Sequence, residues 1–313
     1  MNREITALLG ELPEAERAAV LGQLSDEDVQ ALARATETLP EFIHRVTPKY
    51  TAPRHLQPLL ELIDRSRYEE VRAVVHAPPR HVKTDTILNA FAWLLQGDPS
   101  KTHAFVSYAA DLSRSKSRKA RMLAGRAGVE LDAGAQRLEE WRTTSGGGVL
   151  ATGVGGPLTG QGITGLLVVD DPVKNRVEAE SETTRERVWD WFNDVAFTRL
   201  EPGSSCIVVM TRWHPADLAG KLIDERGWQY IKLPAIDQQG HALWPEQYPL
   251  ERLQSIRTQV GEYTFASLYQ GDPRTKGGTV FGEPRYYDRL PFEGYRRTLG
   301  IDCAYAAKKS SDW

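Results

Sequence analysis

The chain has 313 residues, 41% of them hydrophobic and 26% charged, and carries a net charge of −3. This is the composition of a globular protein with one large or two ordinary domains, and its weak net charge confines any nucleic-acid contact to a local patch. The two cysteines, Cys206 and Cys303, are far apart, which offers no metal motif and suits a reducing compartment; no signal peptide and no apolar run of membrane-spanning length is visible.

In chain order, residues 1–40 read as short helices, with Leu8, Leu9 and Leu12 on one apolar face and Val20, Leu21 and Leu24 on another. Ser25 followed by Glu27 and Asp28 has the pattern of a helix start. Pro40 and Pro48 are expected to bracket a loop-like connection. His55–Ile63 reads as helical in spite of Pro58.

The chain is organised around VRAVVHAPPRHVKTDTI, Val71–Ile87. Val71–Ala77 has the Val/Ala pattern of a buried strand, and Pro78 and Pro79 end it, because proline cannot donate to a ladder. Lys83, Thr84 and Asp85 then open a helical run. Strand, tight loop, Lys-Thr and helix is the plan of a phosphate-binding loop made by Pro79, Arg80, His81, Val82, Lys83, Thr84 and Asp85. Helix-start N–H groups would hold phosphate oxygens, Lys83 would reach the β and γ phosphates, and the Thr84 hydroxyl would ligate Mg²⁺. The usual pattern has two glycines where this chain has Ala77 and Val82. Upstream, Tyr50 or His55 could stack on a nucleobase or simply pack under the helix.

A second strand is expected at Thr102–Ser107, then a helix carrying Arg114, Lys116, Arg118, Lys119, Arg121 and Arg126. That helix reads either as a solvated face or as a contact to DNA phosphates. Residues 145–165 are glycine-rich, with a short strand at Leu150 and Ala151 and a loop around it. The core strand Leu166–Val169 runs straight into Asp170 and Asp171. After a Lys-Thr loop, such a pair supplies one carboxylate for Mg²⁺ and one to take a proton from attacking water. This order points to an NTPase of the additional-strand type. A helix over 179–200 follows, its acidic start complementing the helix dipole; Glu178 competes with Asp171 as base. The strand Cys206–Met210 ends in Thr211 and Arg212, where polar residues at a parallel strand's end face a ligand crevice and could sense the γ phosphate; His214 reads as structural. A strand at 228–233, helices at 249–257 and 260–270, a linker from Gly271 to Gly278 and a strand at Tyr295–Cys303 complete the chain.

PPRHVKT, GVGGPLTGQG, LLVVDDP, RLEPGSSCIVVMTRWHPADLAG, LPAI with LWPE, and YQGDP, in that order over residues 45–303, resemble the large terminase subunit of tailed bacteriophages, the ATP-driven motor that packages DNA into a procapsid. The resemblance implies an α/β fold: a RecA-like additional-strand P-loop NTPase core with a mostly parallel central sheet, preceded by an N-terminal helical segment and followed by an RNase H-like nuclease. The expected division is a helical segment over 1–47, an ATPase domain over 48–271, a linker over 272–294 and the first strand of a truncated nuclease over 295–313. It also implies Lys83 and Thr84 as the phosphate pair, Arg80 beside the γ phosphate, Asp170 as the Mg²⁺-linked acid and Asp171 as base or its neighbour. Thr211 and Arg212 would be the coupling motif, and Asp302 the first metal-binding acid of the nuclease, with Asp312 a further candidate.

The base position in many relatives is Glu, and Gln161 stands where Arg is expected; Arg142 and Arg199 become alternative donors of a trans-acting arginine. Implied cofactors are ATP and Mg²⁺, with two divalent metals only in a full nuclease domain, so nuclease activity is not expected of this chain. Implied partners are double-stranded DNA, further copies in a ring, a portal protein and a small terminase subunit, in the host cytoplasm and with no membrane. The alternatives are a non-hydrolysing assembly module with a degraded phosphate loop, or a helicase-like DNA-dependent ATPase.

Overall fold

A computed structural model describes residues 13, 25, 36–48, 53–158, 160, 162–225 and 227–275. The chain divides into two compact units at Thr275 and Lys276; the described residues all belong to the first. The expected N-terminal helices, the linker beyond Thr275 and the Tyr295–Cys303 strand with Asp302 and Asp312 lie outside the described residues, as do Tyr50 and Gln161.

The elements are α1 (Leu39–Val46), α2 (Gln57–Arg65), β1 (Arg72–His76), α3 (Lys83–Gly97), β2 (Thr102–Ser107), α4 (Ala110–Arg126), β3 (Leu131–Gln136), β4 (Glu140–Thr143), β5 (Gly148–Gly153) and β6 (Leu166–Asp170). After these come α5 (Arg176–Glu180), α6 (Glu182–Trp191), β7 (Ser205–Met210), α7 (Leu218–Asp224), β8 (Gln229–Lys232), α8 (Leu250–Val260) and α9 (Glu262–Leu268). The eight strands form one sheet in the order β3-β4-β5-β2-β6-β7-β1-β8. From β5 to β8 every pairing is parallel; β3 and β4 add an antiparallel edge.

The central strands are apolar on both faces, as parallel strands covered on both sides must be. Ala73, Val75, Val168, Ile207 and Val209 face a core shared with α1, α2, α3 and α4. Val74, Leu167, Val169, Cys206 and Val208, one residue out of step, face a second core with α6 and α7. The mixed α/β class and mostly parallel sheet agree with expectation. Among the described residues no helix is long and apolar enough to cross a membrane.

Three expectations need correction. Pro40 and Pro48 do not bracket a loop but flank most of a helix, α1. Thr38 and Glu41 cap each other's backbone in a capping box, and Pro40 sits in the first turn, where no N–H donor is required. The single helix expected over 179–200 breaks at Ser181, whose extended backbone and hydroxyl, accepting from Thr184 N–H at 3.3 Å, start α6 afresh. A π turn over Phe192–Ala196 and a 3-10 turn over Phe197–Arg199 finish it. The glycine-rich stretch holds the longer strand β5, and a Cβ at Gly153 would stand 2.5 Å from the Ala110 nitrogen, so glycine there lets α4 start directly on the sheet.

Candidate functional site

Because β1, β2, β6 and β7 are parallel, their C-terminal ends open on the same side, the side where open α/β sheets bind ligands. The chain leaves β1 through Pro78 and Pro79 and turns into α3 by way of two residues in the left-handed region, Arg80 at φ 63° and Val82 at φ 54°. The side chains that follow are drawn together. Lys83 is 5% exposed; its Nζ donates to the Ala77 carbonyl at 2.9 Å and to Thr211 Oγ1 at 2.7 Å, and lies 3.7 Å from Asp171 Oδ2. Thr84 Oγ1 donates to Asp170 Oδ2 at 2.6 Å.

Asp170 is the last residue of β6 and is buried, and its second oxygen, Oδ1, has no partner among the described residues. Burial, reinforced by the neighbouring Asp171 charge, pushes its carboxyl up to about 7. Asp171 follows at φ 44°. Its N–H donates to the Val209 carbonyl at 3.0 Å and its Oδ1 accepts the Thr211 N–H at 2.7 Å, which fixes the carboxylate between β6 and β7. An acid and a hydroxyl side by side, with an orphaned carboxylate oxygen, form an all-oxygen set that suits a hard divalent cation such as Mg²⁺.

Pro79, Arg80, His81, Val82, Lys83, Thr84 and Asp85 line one open cleft together with Asp171 and Thr211. Tyr108, Lys116, Val173, Lys174, Trp213, Leu268 and Tyr269 complete its walls. Arg80 is exposed at the cleft. Arg212 does not line it. Buried at 5% exposure, Arg212 donates through Nε to both Asp217 oxygens at 2.9 and 3.0 Å, while its carbonyl accepts from Ser267 at 2.9 Å. Glu178 is also outside the cleft lining and accepts the Lys174 N–H at 3.2 Å. Arg142 pairs with Glu140 at 2.6 Å, and Arg199 is exposed in its 3-10 turn.

Behind the loop lies an aromatic cluster in which sequence reasoning placed only His55, with packing as one of its two readings. The buried His81 ring stacks on Tyr248 at 4.7 Å and its Nδ1–H donates to the Pro79 carbonyl at 2.9 Å. Burial lowers its pKa to about 4. His55 stacks on Trp244 at 4.3 Å and donates to the His81 carbonyl at 3.2 Å, so one ring face already has an aromatic partner. The aromatic residues of WPEQY were a readable signal. The inward role of α4 was readable too: Ser113 and Ser117, one turn apart, are fully buried.

The fold and the site define a mixed α/β protein with acids, a lysine and hydroxyls gathered at parallel strand ends. Residues 75–285 match the family model described as terminase large subunit, T4likevirus-type, N-terminal, and the chain belongs to that family. Its fold is similar to that in the crystal structure of the HK97 bacteriophage large terminase, with a TM-score of 0.53 and 12% identity over 75% of this chain. The match covers 54% of that protein's chain, so this chain spans about half its length. No curated protein sequence matches the chain.

Proposed function

We propose that this chain is the ATP-hydrolysing part of a terminase motor that drives double-stranded DNA into a procapsid. The observation that carries this reading is the meeting of Lys83, Thr84, Asp170, Asp171 and Thr211 from three strand ends. A RecA-like additional-strand core is supported by the position of β7 between β1 and β6. The left-handed backbone at Arg80 and Val82 supports a working phosphate loop over a degraded one, since that is the conformation glycine ordinarily supplies.

The N–H groups that open α3 have no earlier turn to bond to and would hold phosphate oxygens. Lys83 would move from Thr211 to the β and γ phosphates and offset charge on the leaving oxygen. Thr84 and Asp170 would hold Mg²⁺, which when bound supplies charge stabilisation to the phosphates. Asp171, oriented by the Thr211 N–H, would align water in line with the γ phosphorus and accept its proton, giving ADP and phosphate. Because the Arg212 carbonyl is bonded to Ser267, a change at Thr211 would reach α9 and the chain that leaves the ATPase domain.

On this reading 48–271 is the ATPase domain, 272–294 a linker and 295–313 the start of an RNase H-like domain with Asp302 its first metal acid. The partners would be duplex DNA, a portal, a small terminase subunit and further copies in a ring, in the host cytoplasm. The deciding experiment is ATP turnover with and without linear duplex DNA, for this chain and for Lys83→Ala. DNA-stimulated turnover that the substitution abolishes supports the motor; turnover unchanged in Lys83→Ala sinks the assignment of the loop.

A further inference from the structure

Helix α4 carries alternating hydroxyl and basic residues, and the structure sorts them by face. Ser113 Oγ donates to the Thr152 carbonyl at 2.7 Å and Ser117 Oγ accepts the Trp141 indole N–H at 3.1 Å. These two buried bonds set the rotation of the helix. On its outer side Arg114 is paired with Asp111 and Glu139, each at 2.7 Å. Lys119 is paired with Asp85 in the first turn of α3 at 2.6 Å.

Lys116, three residues before Lys119 and on the same helix face, is the only basic residue of α4 among those lining the Lys83 cleft. No ion pair within salt-bridge distance engages it among the described residues, yet its charge acts on Asp170. On the nucleotide reading, Thr84, which lines the cleft, and Asp170, bonded to it at 2.6 Å, would mark the cation-binding end, where the outer phosphates would lie. A half-exposed lysine with no carboxylate of its own, facing that end, is an anion contact in waiting.

We propose that Lys116 contacts the terminal phosphate of a bound nucleoside triphosphate, as a second cation supplied by a different helix from Lys83. The inference rests on the nucleotide reading of the cleft and deepens it: Lys83 answers the polyphosphate as a whole, Lys116 the triphosphate in particular. It also removes Lys116 from the set of residues available to grip DNA.

The test is equilibrium titration of the full chain with a non-hydrolysable ATP analogue and with ADP, for the parent, Lys116→Gln, Lys116→Arg and Lys83→Ala. Lys116→Gln is expected to weaken the triphosphate about five- to tenfold and ADP by less than about twofold, the size of one partly solvated charge contact. Lys116→Arg should recover most of the loss. Unchanged ADP binding shows that the variant is folded. If Lys83→Ala weakens both nucleotides while Lys116→Gln weakens them equally, or neither, Lys116 has no role at the terminal phosphate. If Lys83→Ala changes neither, the nucleotide reading fails and the inference with it.

Discussion

Lys83 Nζ donates to Thr211 Oγ1 across 2.7 Å, joining residues 128 positions apart in the chain. The bond ties the first turn of α3 to the end of β7. Its other neutral acceptor is the Ala77 carbonyl.

Removing one acceptor from a buried ammonium costs more than an average hydrogen bond returns, because the charge stays behind. Thr211→Val should therefore destabilise the nucleotide-free chain by about 1–3 kcal/mol in urea denaturation, and Thr211→Ser by under about 0.5 kcal/mol. Equal stabilities for the Val variant and the parent would show that the Ala77 carbonyl and Asp171 satisfy Lys83 without Thr211.

Much of this arrangement is legible in the amino-acid sequence. The Val-rich strand, the double proline and Lys83-Thr84 announce β1, its loop and α3, and four apolar residues running into Asp170-Asp171 announce β6. What escapes is long-range and geometric. Leu131–Gln136 alternates Leu, Ala and Ala with Asp, Gly and Gln, but alanine, glycine and aspartate carry little strand preference, so β3 is hard to read, and β4 buries Trp141 and Thr143 where it pairs with β5. Pro40 misleads because its effect depends on position in the helix, and only the Thr38–Glu41 box fixes that position. Arg212 shows the same limit. Adjacent to Thr211, it turns the other way, to an aspartate that caps the next helix.

The Asp170 carboxyl, pushed up to about 7, makes a signed prediction. The folded chain holds there a proton that the unfolded chain releases near about pH 4. That contribution to stability is fully present below the unfolded value and is lost as pH rises through about 7. Asp170→Asn keeps an acceptor for the Thr84 hydroxyl and never ionises. Without divalent cations it should be more stable than the parent by roughly 1–3 kcal/mol at about pH 8, with the gain fading towards about pH 5. Denaturation curves at both pH values decide it; a gain of equal size at each would remove the ionisation account.

His103 works in the opposite sense. It is buried in β2 with Nδ1 accepting the Leu166 N–H at 2.9 Å, and burial lowers its pKa to about 3. The unfolded chain takes up a proton near about pH 6.5 that the folded chain refuses. Stability is therefore full above that value and falls as pH drops towards about 3, by about 1.4 kcal/mol per unit for this residue. His76 and His81, also lowered by burial, add to the loss. His103→Asn retains an acceptor for Leu166, so it should flatten the slope between about pH 6 and 4 by close to one proton, whatever it does to absolute stability. A slope identical to the parent's would assign the acid loss to the other histidines.

Val82 occupies the left-handed region at φ 54°, where a β-branched residue is disfavoured by about 1–2 kcal/mol. Val74, in the middle of β1, is fully buried and extended. The same substitution should read differently at the two sites. Val74→Gly removes a core side chain and loosens a strand, and should cost more than about 3 kcal/mol. Val82→Gly relieves the strained turn while it loses the packing of a half-buried side chain against the core, so the two effects offset and the change should stay within about 1 kcal/mol. Chemical denaturation of both variants tests this. A loss at Val82 as large as that at Val74 would mean that packing of the valine, and not the turn it allows, is what the loop requires.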